Sequence, residues 1–120
     1  MGSIKKDRWY IVDLRNKTQD KKSYWLLRVN FRTKEEARKV LNKNLGDKIL
    51  FFDIVKGVTA IEFGFRYPKN TKGPSYLGYL RKYDYPPELE TIQQRKSYRT
   101  KFRRWKRNYK EELKRSWVWN

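Results

Sequence analysis

Cysteine and histidine are both missing from the 120-residue chain. Disulfides are therefore excluded, together with thiolate metal sites and ordinary zinc sites. Acid–base catalysis by an imidazole is excluded as well. Proline is scarce, and all four copies lie within residues 68–87, so most of the chain is free of helix breakers. No run approaches the roughly 20 apolar residues of a membrane span. Residues 1–6 hold no apolar core of signal-peptide length, and early acidic residues argue against a transit peptide. The expected setting is cytoplasmic or nuclear/nucleoid, with no membrane partner.

Negative charge is in short supply. Against 31 Lys and Arg stand 13 Asp and Glu, a net charge of +18. Such a chain repels itself and attracts polyanions over a long range. A charge this high also suits disorder. However, 17% of the residues are Phe, Trp or Tyr, which is a composition for packing. The length suits one small domain of modest stability. Enrichment in Lys, Asn, Tyr and Ile points to an A+T-rich genome, such as that of a virus or mobile element, with the protein made inside a host cell.

The periodicities give an α+β reading in the order β-β-α-β-β. Residues 8–14 (RWYIVDL) predict a strand, and residues 16–23 a polar turn. Residues 24–31 predict a second strand. In it Trp25, Leu27, Val29 and Phe31 face a core, and Tyr24 and Arg28 face away. Thr33 and Glu36 form a capping box at the start of a helix over residues 34–44. Ala37, Val40, Leu41 and Leu45 are its apolar stripe, and Gly46 is placed for a left-handed cap. Residues 48–55 predict a buried strand, Lys56-Gly57 a hairpin turn, and residues 58–66 a returning strand with Thr59, Ile61, Phe63 and Phe65 on one face. The expected fold is a small antiparallel sheet with one packed helix over residues 1–66. A Tyr/Pro/Gly-rich arm over 67–86 follows, then a basic aromatic helix and tail over 87–120. Pro87 is the expected first helical residue, with Glu88 and Glu90 in the first turn.

Residues 95–115 hold eleven Lys and Arg against two Glu. Tyr98, Phe102, Trp105, Tyr109 and Leu113 recur at helical spacing and predict a stripe that packs on protein. The cations Arg99, Lys101, Arg103, Arg104, Lys106, Arg107 and Lys110 are the expected phosphate contacts, because a rigid helix can meet successive phosphates and release counterions. Tyr24, Arg28 and Arg32 on an open sheet face suit base stacking and phosphate contact. Arg81 and Lys82 extend the basic surface into the arm, where the tyrosines are expected to fold back on the domain.

The segment YWLLRVNFRTKEEARKVL resembles the arm-binding domains of tyrosine recombinases, in which strands precede a helix opened by a Phe-x-Thr-Lys-x-Glu-Ala stretch. Phe31, Thr33, Lys34, Glu36 and Ala37 carry the resemblance. It covers less than a fifth of the chain, and the family has three strands before its helix where two are expected here. No membership follows from it.

Catalysis has little to build on. Asp13, Asp53 and Glu62 fall on predicted strands, but Phe63 and Gly64 follow Glu62, so the Glu-x-Lys half of a common nuclease pattern is absent. Gly73 and Gly78 lack the strand-to-helix context of a phosphate loop. No cofactor and no metal are expected. The reading is a non-catalytic nucleic-acid-binding protein acting mainly through phosphates, with some aromatic stacking. The alternative is a structural subunit of a larger assembly, docking on other protein subunits through Trp105, Trp117 and Trp119 as interface anchors. An acidic-membrane binder ranks below both, since Arg95 and Lys96 interrupt the apolar face.

Overall fold

A computed structural model describes residues 4–14, 24–67, 76–82, 84–85 and 87–117. The side chains of Tyr76, Tyr79, Lys82, Ser116 and Trp117 are outside this description, as are all of Trp119, the predicted turn over 16–23 and much of the arm. The α+β class holds. Strands β1 (Trp9–Asp13), β2 (Trp25–Phe31) and β3 (Phe52–Lys56) form an antiparallel sheet in the order β2-β1-β3. Helices α1 (Lys34–Leu45), α2 (Gly57–Phe63), α3 (Tyr76–Lys82) and α4 (Ile92–Trp117) surround it. None of the described helices is long and apolar enough to cross a membrane.

Both faces of the sheet are covered. On one, Ile11, Leu27, Phe31, Phe52 and Ile54 pack with Ala37, Leu41 and Leu45 of α1 and Leu80 of α3. On the other, Tyr10, Val12, Tyr24, Leu26 and Val55 pack with Ala60 of α2 and with Tyr109 and Leu113 of α4. Phe102 touches both clusters, so α4 bends the core around the β3 edge. A strand buried on both faces alternates between two cores, not between core and water.

The hydroxyl half of the first capping box is present. Thr33 is the N-cap of α1, and its hydroxyl accepts from the Glu36 N–H at 3.2 Å. Gly46 ends α1 with φ +58° and ψ −126°, a conformation open to glycine but outside the left-handed helical region that was expected. A 3₁₀ segment, Gly46–Phe51, then takes the first part of the expected strand over 48–55.

The expected fourth strand does not form; residues 57–63 are the helix α2. Two of its first-turn N–H groups find backbone acceptors on the segment before β1: Gly57 donates to Arg8 O at 2.8 Å and Val58 to Lys6 O at 3.2 Å. These bonds satisfy donors that a helix start otherwise leaves orphaned. Gly57 permits the approach, because a Cβ there would collide with the Lys5 carbonyl. Gly64, at φ +73° and ψ 22°, closes α2 in the left-handed cap. What remains of the expected strand is a single parallel bridge, in which Arg66 pairs along the outer edge of β2.

Within the arm, the described residues 76–82 form a helix that was not expected. This helix, α3, buries Leu80 against the α1 side of the sheet. Tyr85 folds back edge-on to Phe51 and donates to Asp47 at 2.9 Å. Residues 87–90 are not helical. α4 begins at Ile92, behind a second capping box. The Thr91 hydroxyl accepts from Gln94 N–H at 3.0 Å, and the Gln94 amide oxygen accepts from Thr91 N–H at 2.9 Å.

Two outcomes test this architecture. Thr91→Ala should lower stability by about 1 kcal/mol in denaturant unfolding; an unchanged midpoint would place the helix start at Pro87 instead. The second concerns alkaline pH. Burial pushes the Tyr24 phenol up to about 12, with Glu112 adding to it. Burial, then the Asp53 carboxylate, also raises Tyr109 well above its ordinary value. An unfolded phenol ionises near about pH 10. The stability from keeping these rings neutral is complete below that pH and is lost as pH climbs toward about 12. Tyr24→Phe should retain more stability than the unsubstituted protein across that window.

Candidate nucleic-acid interface

Helix α4 carries two rows of side chains. Tyr98, Phe102, Trp105, Tyr109 and Leu113 turn inward. Trp105 stacks on Tyr109 at 5.6 Å and meets Tyr24 edge-on at 5.9 Å. Each such aromatic pair adds roughly 0.5–1.5 kcal/mol beyond area burial. The predicted stripe therefore packs, and Trp105 belongs to the chain's own aromatic cluster.

The second row is cationic. Lys96, Arg99, Arg103, Arg107, Lys110 and Lys114 recur at steps of three or four residues, so they share one helix face. At a rise of about 1.5 Å per residue the row is roughly 27 Å long. The two glutamates of α4, Glu111 and Glu112, fall outside it. Lys96, Arg103, Arg107 and Lys114 are exposed. Lys101, Arg104 and Arg115, also exposed, widen the basic surface on the far side of the helix.

An open groove of about 530 Å³ runs between α1 and α4 along the free edge of β3. Lys34 and Arg38 line it from α1, and Arg99, Arg103, Lys106 and Lys110 from α4. Ile49, Leu50, Phe52 and Ile54 give it an apolar floor. Its two lining carboxylates are already engaged. Asp47 accepts from Arg99 at 3.1 Å and from the Tyr85 hydroxyl at 2.9 Å. Asp53, only 8% exposed, accepts from Lys110 at 2.6 Å, Tyr109 at 3.0 Å and the Ile54 N–H at 2.8 Å.

Lys106 has a structural post. Its ammonium donates to Leu50 O at 2.8 Å and Phe52 O at 2.7 Å. Burial lowers its pKa to about 8, with Lys110 adding to the fall and Asp53 opposing it. The expected phosphate contacts thus divide. Arg99, Lys106 and Lys110 bind protein groups, whereas Lys101, Arg103, Arg104 and Arg107 project outward.

The open sheet face expected around Tyr24 does not exist. Tyr24 is 7% exposed, beneath α4 and against Phe65, Trp105 and Tyr109. Arg28 is exposed, with its guanidinium 4.7 Å from the centre of the Tyr67 ring. Arg32, just after β2, is exposed as well. Both belong to the opposite edge of the sheet from the groove. Arg81 reaches Asn44 of α1 at 3.4 Å. The side chains of Lys82 and Trp117, and all of Trp119, lie outside the described residues.

Asp13 and Asp53 sit on neighbouring strands, with Asp53 opposite Val12 and Asp13 opposite Phe52. Strand alternation sends their side chains to opposite faces, so they cannot meet at one metal. Glu62 lies on α2. Among the described residues no group of three or more His, Cys, Asp or Glu is placed to hold a metal ion. The chain matches no family model, no curated protein and no solved structure.

Lys34, Arg38, Lys96 and Lys114 are not among the phosphate contacts expected from the sequence. The i, i+4 spacing of Lys34 and Arg38 is visible there. Its meaning needs the knowledge that α1 and α4 flank the same edge strand.

Substitution separates the two classes of cation. Lys106→Met leaves two carbonyls without their donor and should cost roughly 1–3 kcal/mol of stability. Arg103→Gln and Arg107→Gln should each change stability by less than about 0.5 kcal/mol. Equal losses in chemical denaturation would mean that the outward arginines also hold the fold together.

Proposed function

We propose that this protein binds nucleic acid without cleaving it, chiefly through phosphate contacts along α4. The observation that carries the reading is the cationic row of Lys96, Arg99, Arg103, Arg107, Lys110 and Lys114, set beside a groove whose carboxylates are already paired. Six of the helix's eleven cations share this face, and both of its glutamates lie off it. A row on a rigid helix holds charges at fixed spacing, which suits the repeating phosphates of a nucleic-acid strand. Because the inner stripe anchors α4 to the sheet, the backbone that carries the cations is in place before the ligand arrives, and binding need order only their side chains.

Salt dependence is the decisive measurement. With one phosphate neutralised by each of the four exposed cations of the row, Lys96, Arg103, Arg107 and Lys114, the logarithm of the association constant for a duplex should fall with the logarithm of salt at a slope of about −4. Replacing Arg103, Arg107 and Lys114 together with Gln should make that slope shallower by roughly one unit per lost contact. The thermal transition should stay in place. A salt-independent affinity, or an unchanged slope in the triple variant, removes α4 as the phosphate-binding surface. Cleavage of the probe in the presence of magnesium or manganese would overturn the non-catalytic part of the reading.

A further inference from the structure

Resting on the reading above, we infer that the groove between α1 and α4 seats an unpaired nucleotide, which makes the protein selective for single strands. The groove combines two properties that a phosphate backbone alone does not require. Its walls are cationic, and its floor is aliphatic, with Ile49 and Leu50 half-buried at its base. Arg38 and Arg103 face the groove from opposite walls, and both are exposed. Neither is ion-paired among the described residues.

A duplex offers phosphates, sugars and groove edges, and keeps the flat faces of its bases inside the stack. It satisfies the walls and leaves the floor in water. A splayed base does both, lying on the aliphatic floor while a guanidinium plane from Arg38 or Arg103 stacks on it. Its flanking phosphates then meet Lys34 and whichever of Arg38 and Arg103 does not stack on the base. The volume, about 530 Å³, falls within the range of roughly 300–1,000 Å³ typical of small-molecule sites. It is large enough for a nucleotide unit and too small for a double helix.

The test compares three fluorescent probes by anisotropy with the full chain. They are a short mixed-sequence strand, its duplex, and the same strand with its central bases replaced by abasic residues. Charge alone favours the duplex, which carries more phosphates per unit length. The intact strand should nevertheless bind about ten-fold tighter than either other probe, because each seated base contributes on the order of one to two factors of ten. Ile49→Gln should bring the intact strand down to the abasic level and leave duplex binding unchanged, with circular dichroism confirming the fold. If the abasic strand binds as well as the intact one, or the duplex binds best, the groove does not seat a base; phosphate binding along α4 then still stands. If none of the probes binds at low salt, both readings fall.

Discussion

Asp53 is the carboxylate on which the arrangement of the C-terminal half depends. It lies on the edge strand β3, almost fully buried, and accepts from Tyr109, from Lys110 and from the N–H of Ile54. Two of these donors belong to successive residues of α4, so one side chain fixes the rotation of that helix about its axis. A buried carboxylate costs several kcal/mol in lost hydration unless hydrogen bonds replace the water. Here they do, and the need to keep them holds Tyr109 against the sheet. With Tyr109 in place, the helical repeat turns Phe102 and Trp105 inward and the row from Lys96 to Lys114 outward.

The same constraint explains how a chain of net charge +18 folds. Self-repulsion is least costly where cations stay in water, screened over about 8–10 Å at ordinary ionic strength. The core excludes them almost completely. Lys106 is the informative exception, since its depressed pKa of about 8 records the strain of burial, offset by two carbonyl acceptors. Tyrosine and tryptophan do the packing that a smaller share of aliphatic residues cannot. Tyr24, Phe65, Trp105 and Tyr109 form a linked set of edge-on and stacked rings, and Phe51 joins Tyr85 and Phe102 at the other end of α4.

Local chemistry was legible in the sequence; the choice of partner was not. Thr33 and Glu36 mark the start of α1 without reference to the rest of the chain, because a capping box is closed within four residues. The same box at Thr91 and Gln94 went unread, since Pro87 and two glutamates offered an earlier start. β1 and β2 were readable from their apolar runs. The face of Tyr24 was not, because a sheet covered on both sides leaves no polar face to mark outside. α2 was misread for a tertiary reason. Thr59, Ile61, Phe63 and Phe65 alternate as a strand would, yet Ile61 is 44% exposed while Thr59 and Ala60 are buried. What decides the matter is the backbone of residues 6 and 8, which receives the first helical N–H groups. Of the candidate site, the stripe and the outward arginines are visible in the spacing, whereas Lys106 and Lys110 are structural only because the fold sets the Leu50 and Phe52 carbonyls and the Asp53 carboxylate against α4.

The edge of β3 joins stability to the candidate function. An unpaired strand edge invites another strand to add to it, and proteins blunt such edges with charged side chains. In this chain, residues 51 and 57 bond toward the β1 side, so alternation leaves Phe52 and Ile54 on the free edge. Lys106 occupies the Phe52 carbonyl and Asp53 the Ile54 N–H. The groups that close the edge to strand addition also line the groove. Covering an edge with cations therefore leaves a positive, apolar-floored channel beside it. A strand approaching that channel finds the Phe52 carbonyl and the Ile54 N–H already engaged. The cations that the fold requires there, Lys106 and Lys110, are held by protein acceptors, and the exposed Arg38 and Arg103 line the same channel from its two walls.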